Sequence, residues 1–121
     1  MGLAVALVTS KLRVELDPVL KRFPALAAVD AIVTADMTPR PKPAPDPVLA
    51  ALAQLRVAPE EALFVGDSPY DLAAGRAAGV RTAAALWGPH PRERLAEEQP
   101  TYWLADVADL LPLVRALMQP A

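Results

Sequence analysis

The sequence predicts an α/β fold with a parallel sheet covered by helices on both faces. Three observations carry this. Short apolar runs of strand type alternate with stretches of helical period, the pattern of βαβ units. Alanine and leucine dominate the apolar residues, which favours helices over an all-β architecture. The chain has 121 residues, 54% of them hydrophobic and 21% charged, the size and composition of one soluble globular domain able to bury roughly two-thirds of its unfolded surface. Residues 1–121 show no internal repeat or domain linker.

The first strand is expected at Leu3–Val8, an apolar run too short to span a bilayer and without the basic flank of a signal peptide. Leu12, Leu16, Val19, Leu20 and Phe23 then recur at helical spacing. Pro18 is expected to break or restart that helix, with Asp17 as a cap for a second one. Ala31–Thr34 reads as a second strand. The proline-rich stretch Pro39–Pro47 is a loop whose Asp46-Pro47 end opens a helix with Val48, Leu49, Leu52 and Leu55 on one face. Ala62–Val65 is a third, buried strand. Gly66-Asp-Ser-Pro-Tyr-Asp71 turns from it into a small-residue helix ending near Gly79. Val80–Leu86 is a fourth strand. A loop around Trp87–Pro91, a charged amphipathic segment, a short run at Thr101–Leu104 and a helix from about Asp106 to Met118 complete the chain.

Charge and composition exclude several function classes. A net charge of −2 with scattered basic residues offers no footprint for nucleic acid. The absence of cysteine rules out disulfides, a thiolate nucleophile and sulfur-based zinc sites. His90 lies between prolines without partners at metal-ligand spacing and reads as a surface residue. Neither a nucleic-acid nor a membrane partner is expected, and a cytoplasmic location is.

In parallel α/β sheets ligands bind beyond the carboxyl ends of the strands. Thr9 and Ser10 follow the first strand, Lys42 lies in the loop after the second, and Asp67 and Asp71 follow the third. Hydroxyl and amide donors, a cation and a carboxylate pair are what phosphoryl transfer needs, because its charge spreads over several oxygens and Mg²⁺ prefers carboxylate oxygen. Each residue also has a plainer reading. Ser10 could cap the next helix, and Lys42 could be a solvated charge on a polyproline-like loop, even part of a ligand for a proline-recognition domain. Ser68, Pro69 and Asp71 make a near capping box that leaves Asp67 unexplained, though Asp67 could be a structural anion near the dipole of the helix that follows. Trp87 and Tyr102-Trp103 suit packing at strand ends, with substrate proximity open for Trp87.

Taken together these segments resemble the haloacid dehalogenase superfamily, in its phosphoglycolate phosphatase and pyrophosphatase-like branch, over nearly the whole chain. Leu7-Val-Thr-Ser-Lys11 resembles the second motif, whose hydroxyl residue and following amide hold the phosphoryl group; this implies phosphate binding by Thr9 and Ser10. Arg40-Pro-Lys-Pro-Ala-Pro45 resembles the third, implying that Lys42 binds phosphate and serves catalysis by neutralising charge. Phe64-Val-Gly-Asp-Ser-Pro-Tyr-Asp71 is similar to the fourth and most specific motif, implying that Asp67 binds Mg²⁺ with Asp71 in support. Leu86-Trp-Gly88 and Ala105–Leu111 are similar to the branch's usual ending. The resemblance implies a three-layer Rossmann-like core and an Mg²⁺-dependent phosphatase of small phosphorylated metabolites.

The family's first motif, Asp-x-Asp-x-Thr, supplies the nucleophile and the general acid, and no Asp-x-Asp occurs in these 121 residues. The cap insertion that follows it is absent too. The resemblance therefore implies a partial core domain with no nucleophile, inactive by itself. Its central strand, normally between those of the second and fourth motifs, would be missing, leaving two strand edges facing a gap. The chain is expected to close that gap with its other strands, to recruit a strand from a homo-oligomer or other partner, or to belong to a longer protein. The alternative function is a non-catalytic binding or assembly module completed by a partner strand.

Overall fold

The computed structural model describes residues 2–119. Along them run β1 (Ala6–Val8), α1 (Arg13–Arg22), α2 (Pro24–Ala27), β2 (Ala31–Val33), α3 (Asp46–Leu55), β3 (Leu63–Gly66), α4 (Pro69–Ala77), β4 (Arg81–Ala85), α5 (Arg92–Ala96), β5 (Tyr102–Leu104) and α6 (Leu110–Met118), with 3-10 turns at Ala35–Met37, Pro59–Glu61 and Val107–Asp109. Every strand pairing is parallel: Leu7 lies opposite Ile32, Val65 opposite Ala83, and Ala84 opposite Trp103. The α/β class expected from the sequence is the one observed.

The sheet is in two pieces, β1–β2 and β3–β4–β5, and among the described residues no pairing joins one to the other. Closure of the gap by the chain's own strands, one of the three expectations, does not occur. The amide of Thr9 donates to the carbonyl of Val33 at 2.9 Å, so period-two alternation turns the backbone groups of Ala6 and Val8 away from β2. Burial agrees with open edges. Ala6, Leu7 and Val8 are only half-buried, as are Leu63, Phe64 and Val65, whereas Ala83, Ala84 and Ala85 of the flanked β4 are buried.

α3 holds the two pieces together. It packs against β1, β2 and α4, and its buried Val48 and Leu52 meet Ala74, Ala78 and Val80, with Ala62 and Phe64 against them. The buried face is Val48, Ala51 and Leu52; Leu49, expected on it, is 45% exposed. A 3.6-residue period places 48, 51, 52 and 55 on one stripe and turns 49 off it. A second core joins Leu72, Ala84 and Leu95 to Leu86 and Trp103, and the Arg92 guanidinium lies 4.1 Å from the centroid of Trp103. Trp103 is thus a packing residue, while the Tyr102 hydroxyl accepts from the Arg81 guanidinium at 3.5 Å.

Three expectations about elements need correction. β1 has three residues rather than six, because its partner β2 begins only at Ala31; before that, the Asp30 carboxylate accepts from the Val5 amide at 2.7 Å. Pro18 sits inside α1 without breaking it, and Asp17 caps nothing but pairs with Arg13 one turn back at 3.0 Å. The carbonyl deprived of a donor by Pro18 belongs to Val14, which is 73% exposed and open to water. The last helix begins later than expected: the Asp106 carboxylate accepts from the Ala108 amide at 2.8 Å, closing a 3-10 turn before α6 starts.

Candidate functional site

Parallel strands bring all their carboxyl ends to one end of the molecule, and the chemistry collects there. Lys42 is half-buried and paired rather than a freely solvated charge. Its Nζ donates to Oδ1 of Asp71 at 2.6 Å and to the carbonyl of Val8 at 3.4 Å. The side chains of Lys42 and Asp71 are only 9% and 16% exposed. The lysine therefore reaches from the proline-rich loop to both sides of the gap, touching the end of β1 and the start of α4.

Asp71 decides between capping and a site role. The hydroxyl of Ser68 accepts from the Asp71 amide at 3.1 Å, as an N-cap does. The reciprocal half of a capping box is not made, because Oδ1 of Asp71 is on Lys42 and Oδ2 accepts from the Asp67 amide at 3.3 Å. Gly66 makes this possible: a Cβ at that position would run into the Cβ of Asp71. Only a residue without a side chain lets the α4 carboxylate fold back over the strand end.

Asp67 is different. Among the described residues no hydrogen-bond donor or ion-pair partner meets its carboxylate. It faces an open cleft of about 240 Å³ lined by Val65, Gly66, Asp67, Asp71, Ala85 and Trp87. Trp87, 46% exposed, is a wall of this cleft rather than a core residue. Sequence reasoning left its place open because an aromatic after a strand serves packing and ligand contact equally well.

Thr9 and Ser10 lie across the gap. The Thr9 hydroxyl accepts from the Lys11 amide at 3.1 Å. Ser10 is exposed, and it does not cap α1: the N-cap is Leu12, whose amide donates to Glu15 at 2.8 Å. The structure thus brings Lys42, Asp67 and Asp71 together, and the bond from Lys42 to the Val8 carbonyl links them to the strand end that carries Thr9 and Ser10. His90 is half-buried and outside the cleft lining.

The described residues contain no cluster of three or more His, Cys, Asp or Glu able to cage a metal ion. Two adjacent carboxylates, one free and one already engaged by a lysine, still suit Mg²⁺, a hard cation that commonly takes one or two carboxylates and keeps several waters. The donor set therefore fits the ion, with Asp67 as the group able to hold it.

The sequence pattern of the haloacid dehalogenase-like hydrolases matches residues 1–85. The chain belongs to that family. A candidate pyrophosphatase PpaX from Caldanaerobacter subterraneus subsp. tengcongensis is 44% identical to this haloacid dehalogenase-like chain over 114 residues, covering 94% of the chain and 52% of the relative. Among solved structures, a candidate phosphoglycolate phosphatase from Lactobacillus plantarum superposes with a TM-score of 0.84 at 35% identity, over 92% of this chain and 53% of that one. A variant of CbbY from Rhodobacter sphaeroides, solved with xylulose-1,5-bisphosphate, superposes with a TM-score of 0.77 at 29% identity, over 90% and 49%. The chain spans about half the length of the curated relatives it matches. Among the described residues no helix is long and apolar enough to cross a membrane.

Proposed function

We propose that residues 1–121 are part of a single haloacid dehalogenase-like core domain that handles phosphate and metal in an Mg²⁺-dependent hydrolase of small phosphorylated metabolites, of the phosphoglycolate phosphatase or pyrophosphatase type, in the cytoplasm. One observation carries this reading: the largely covered Lys42–Asp71 ion pair stands beside an Asp67 carboxylate that has no partner among the described residues, at the carboxyl end of a parallel strand. A structural ion pair alone would not leave a neighbouring carboxylate free and facing a cleft.

In this reading the Thr9 hydroxyl and the backbone amides around Ser10 bind phosphoryl oxygens. Lys42 binds the same group and neutralises the charge that develops in transfer, a catalytic role. Asp67 is the metal ligand, and Asp71 holds Lys42 and the Asp67 amide in place. Mg²⁺, when bound, supplies charge neutralisation at the phosphoryl oxygens. The attacking carboxylate has no counterpart in this chain, and neither the metal nor the lysine can replace an attacking atom. Removing one electrostatic donor typically costs about a hundred- to a thousandfold, and removing the nucleophile costs more, so the 121-residue chain alone is inactive.

The test is hydrolysis of phosphate esters, phosphoglycolate and pyrophosphate among them. The chain alone should show no turnover. Joined to a strand-forming segment that carries Asp-x-Asp, it should turn over substrate with Mg²⁺ and stop with chelator or in Asp67→Asn. Turnover by the chain alone would sink the claim of inactivity.

The split sheet supports a second reading, a non-catalytic binding or assembly module whose free strand edges take a strand from a second copy or another partner. It predicts a defined oligomer or a tightly bound partner chain on size-exclusion chromatography. A monodisperse monomer would remove it.

A further inference from the structure

Gly88 lies in the turn after β4, and backbone conformation does not explain it. Among the described residues only Gly2 and Gly79 are glycines with positive φ, so residue 88 does not have the left-handed φ that favours glycine. What forbids a side chain there is Asp67. An ideal Cβ at position 88 would stand 2.6 Å from Cβ and from Oδ2 of Asp67 and 2.8 Å from its Cγ. Carbon atoms in favourable contact sit about 3.5–4.0 Å apart. The Cβ of Asp67 is fixed by its own backbone and cannot rotate clear, so any residue but glycine would force the β3 end and the β4 turn apart.

We infer that Gly88 is a positioning residue for Asp67: its bare backbone packs on one side of the carboxylate and holds it toward the cleft walled by Trp87. This rests on the reading of Asp67 as a cation ligand. A carboxylate already restricted in rotamer loses less conformational freedom when it takes up an ion. Asp67 is then steadied on two sides, by Asp71 at its amide and by Gly88 at its side chain. The turn after β4 thereby becomes part of the site without offering any ligand of its own.

Gly88→Ala in the 121-residue chain tests this, with Mn²⁺ as the probe ion read by water-proton relaxation and Mg²⁺ by calorimetry. Far-UV circular dichroism should match the parent, while Mn²⁺ affinity should fall at least tenfold. Urea unfolding without metal supplies the second readout. Gly88→Ala should lower the midpoint in the parent but not in an Asp67→Gly background, where the obstructing atoms are gone. Equal Mn²⁺ affinity in parent and Gly88→Ala, or the same urea shift in both backgrounds, would overturn the inference. A parent that takes up no Mn²⁺ overturns the cation reading of Asp67 and the positioning role with it, and the urea experiment then still reports separately whether the contact exists.

Discussion

Lys42 and Asp71 are each too covered to stand alone, with side chains 9% and 16% exposed. Removing one partner of a buried pair leaves an uncompensated charge, which costs more than the pair gains by forming. Lys42→Met should therefore destabilise the chain by about 2 kcal/mol, below the 3–5 kcal/mol of fully buried pairs because some water remains. The double variant with Asp71→Asn should cost less than the sum of the two singles in urea unfolding; strict additivity would show that the pair does not interact. The pairing was not legible in the sequence. The partners are 29 positions apart, and only folding reveals that Asp71 serves Lys42 rather than a capping box. A second residue-scale effect concerns acid. The Asp36 carboxyl lies below its ordinary 3.8 through the nearby Thr34 hydroxyl, although that oxygen makes no formed hydrogen bond among the described residues, through Asp36's own amide, and through the amide and charge of Arg13, the amide donating to Oδ1 at 3.2 Å. A depressed folded pKa stabilises the fold above the unfolded value and loses that contribution as pH falls below 3.8 toward the lower folded value. Urea midpoints taken from pH 6 down to 3 should fall less steeply in Asp36→Asn than in the parent; parallel curves would assign the acid sensitivity elsewhere.

Among the elements, α3 shows which features can be read from local sequence. Its start was legible from Asp46-Pro47, because proline needs no donor in a first turn. Its end was not, since no glycine marks it. Arg56 adopts φ 56°, and the amides of Val57 and Arg56 donate to Leu52 at 3.1 Å and Ala53 at 3.3 Å, the paired bonds of a Schellman ending. A left-handed residue with a Cβ costs about 1–2 kcal/mol. Arg56→Gly should consequently raise stability by about 1 kcal/mol after glycine's greater freedom in the unfolded chain is deducted. An unchanged or lower thermal midpoint would mean that the Arg56 side chain makes a stabilising contact of its own. Pro18 was misjudged for a related reason. Its cost depends on whether the orphaned carbonyl can reach water, and residue spacing does not report that. Strand lengths escaped prediction as well: an apolar run records what can pair, while the neighbour decides how much of it does.

At the scale of the molecule, the gap between β1 and β3 was anticipated from the missing motif, and what spans it was not. Among the described residues α3 packs against β1, β2 and α4 and Lys42 reaches Val8 and Asp71, so packing across the gap should be sensitive to α3. Leu52→Ala removes a buried side chain that faces α4 across this seam and should cost about 2–4 kcal/mol. The edge itself can be read by amide exchange. Thr9 donates to Val33, and strand alternation gives Leu7 the same direction, while the amides of Ala6 and Val8 point into the gap with no acceptor from another strand. Exchange followed by NMR should find Leu7 and Thr9 protected and Ala6 and Val8 fast. Addition of the strand-bearing segment should then slow Ala6 and Val8 specifically, because a parallel neighbour supplies their acceptors. Protection of Ala6 and Val8 in the isolated chain that fades on dilution would instead mean that copies of the chain complete one another, which is the assembly-module reading and not the phosphatase one.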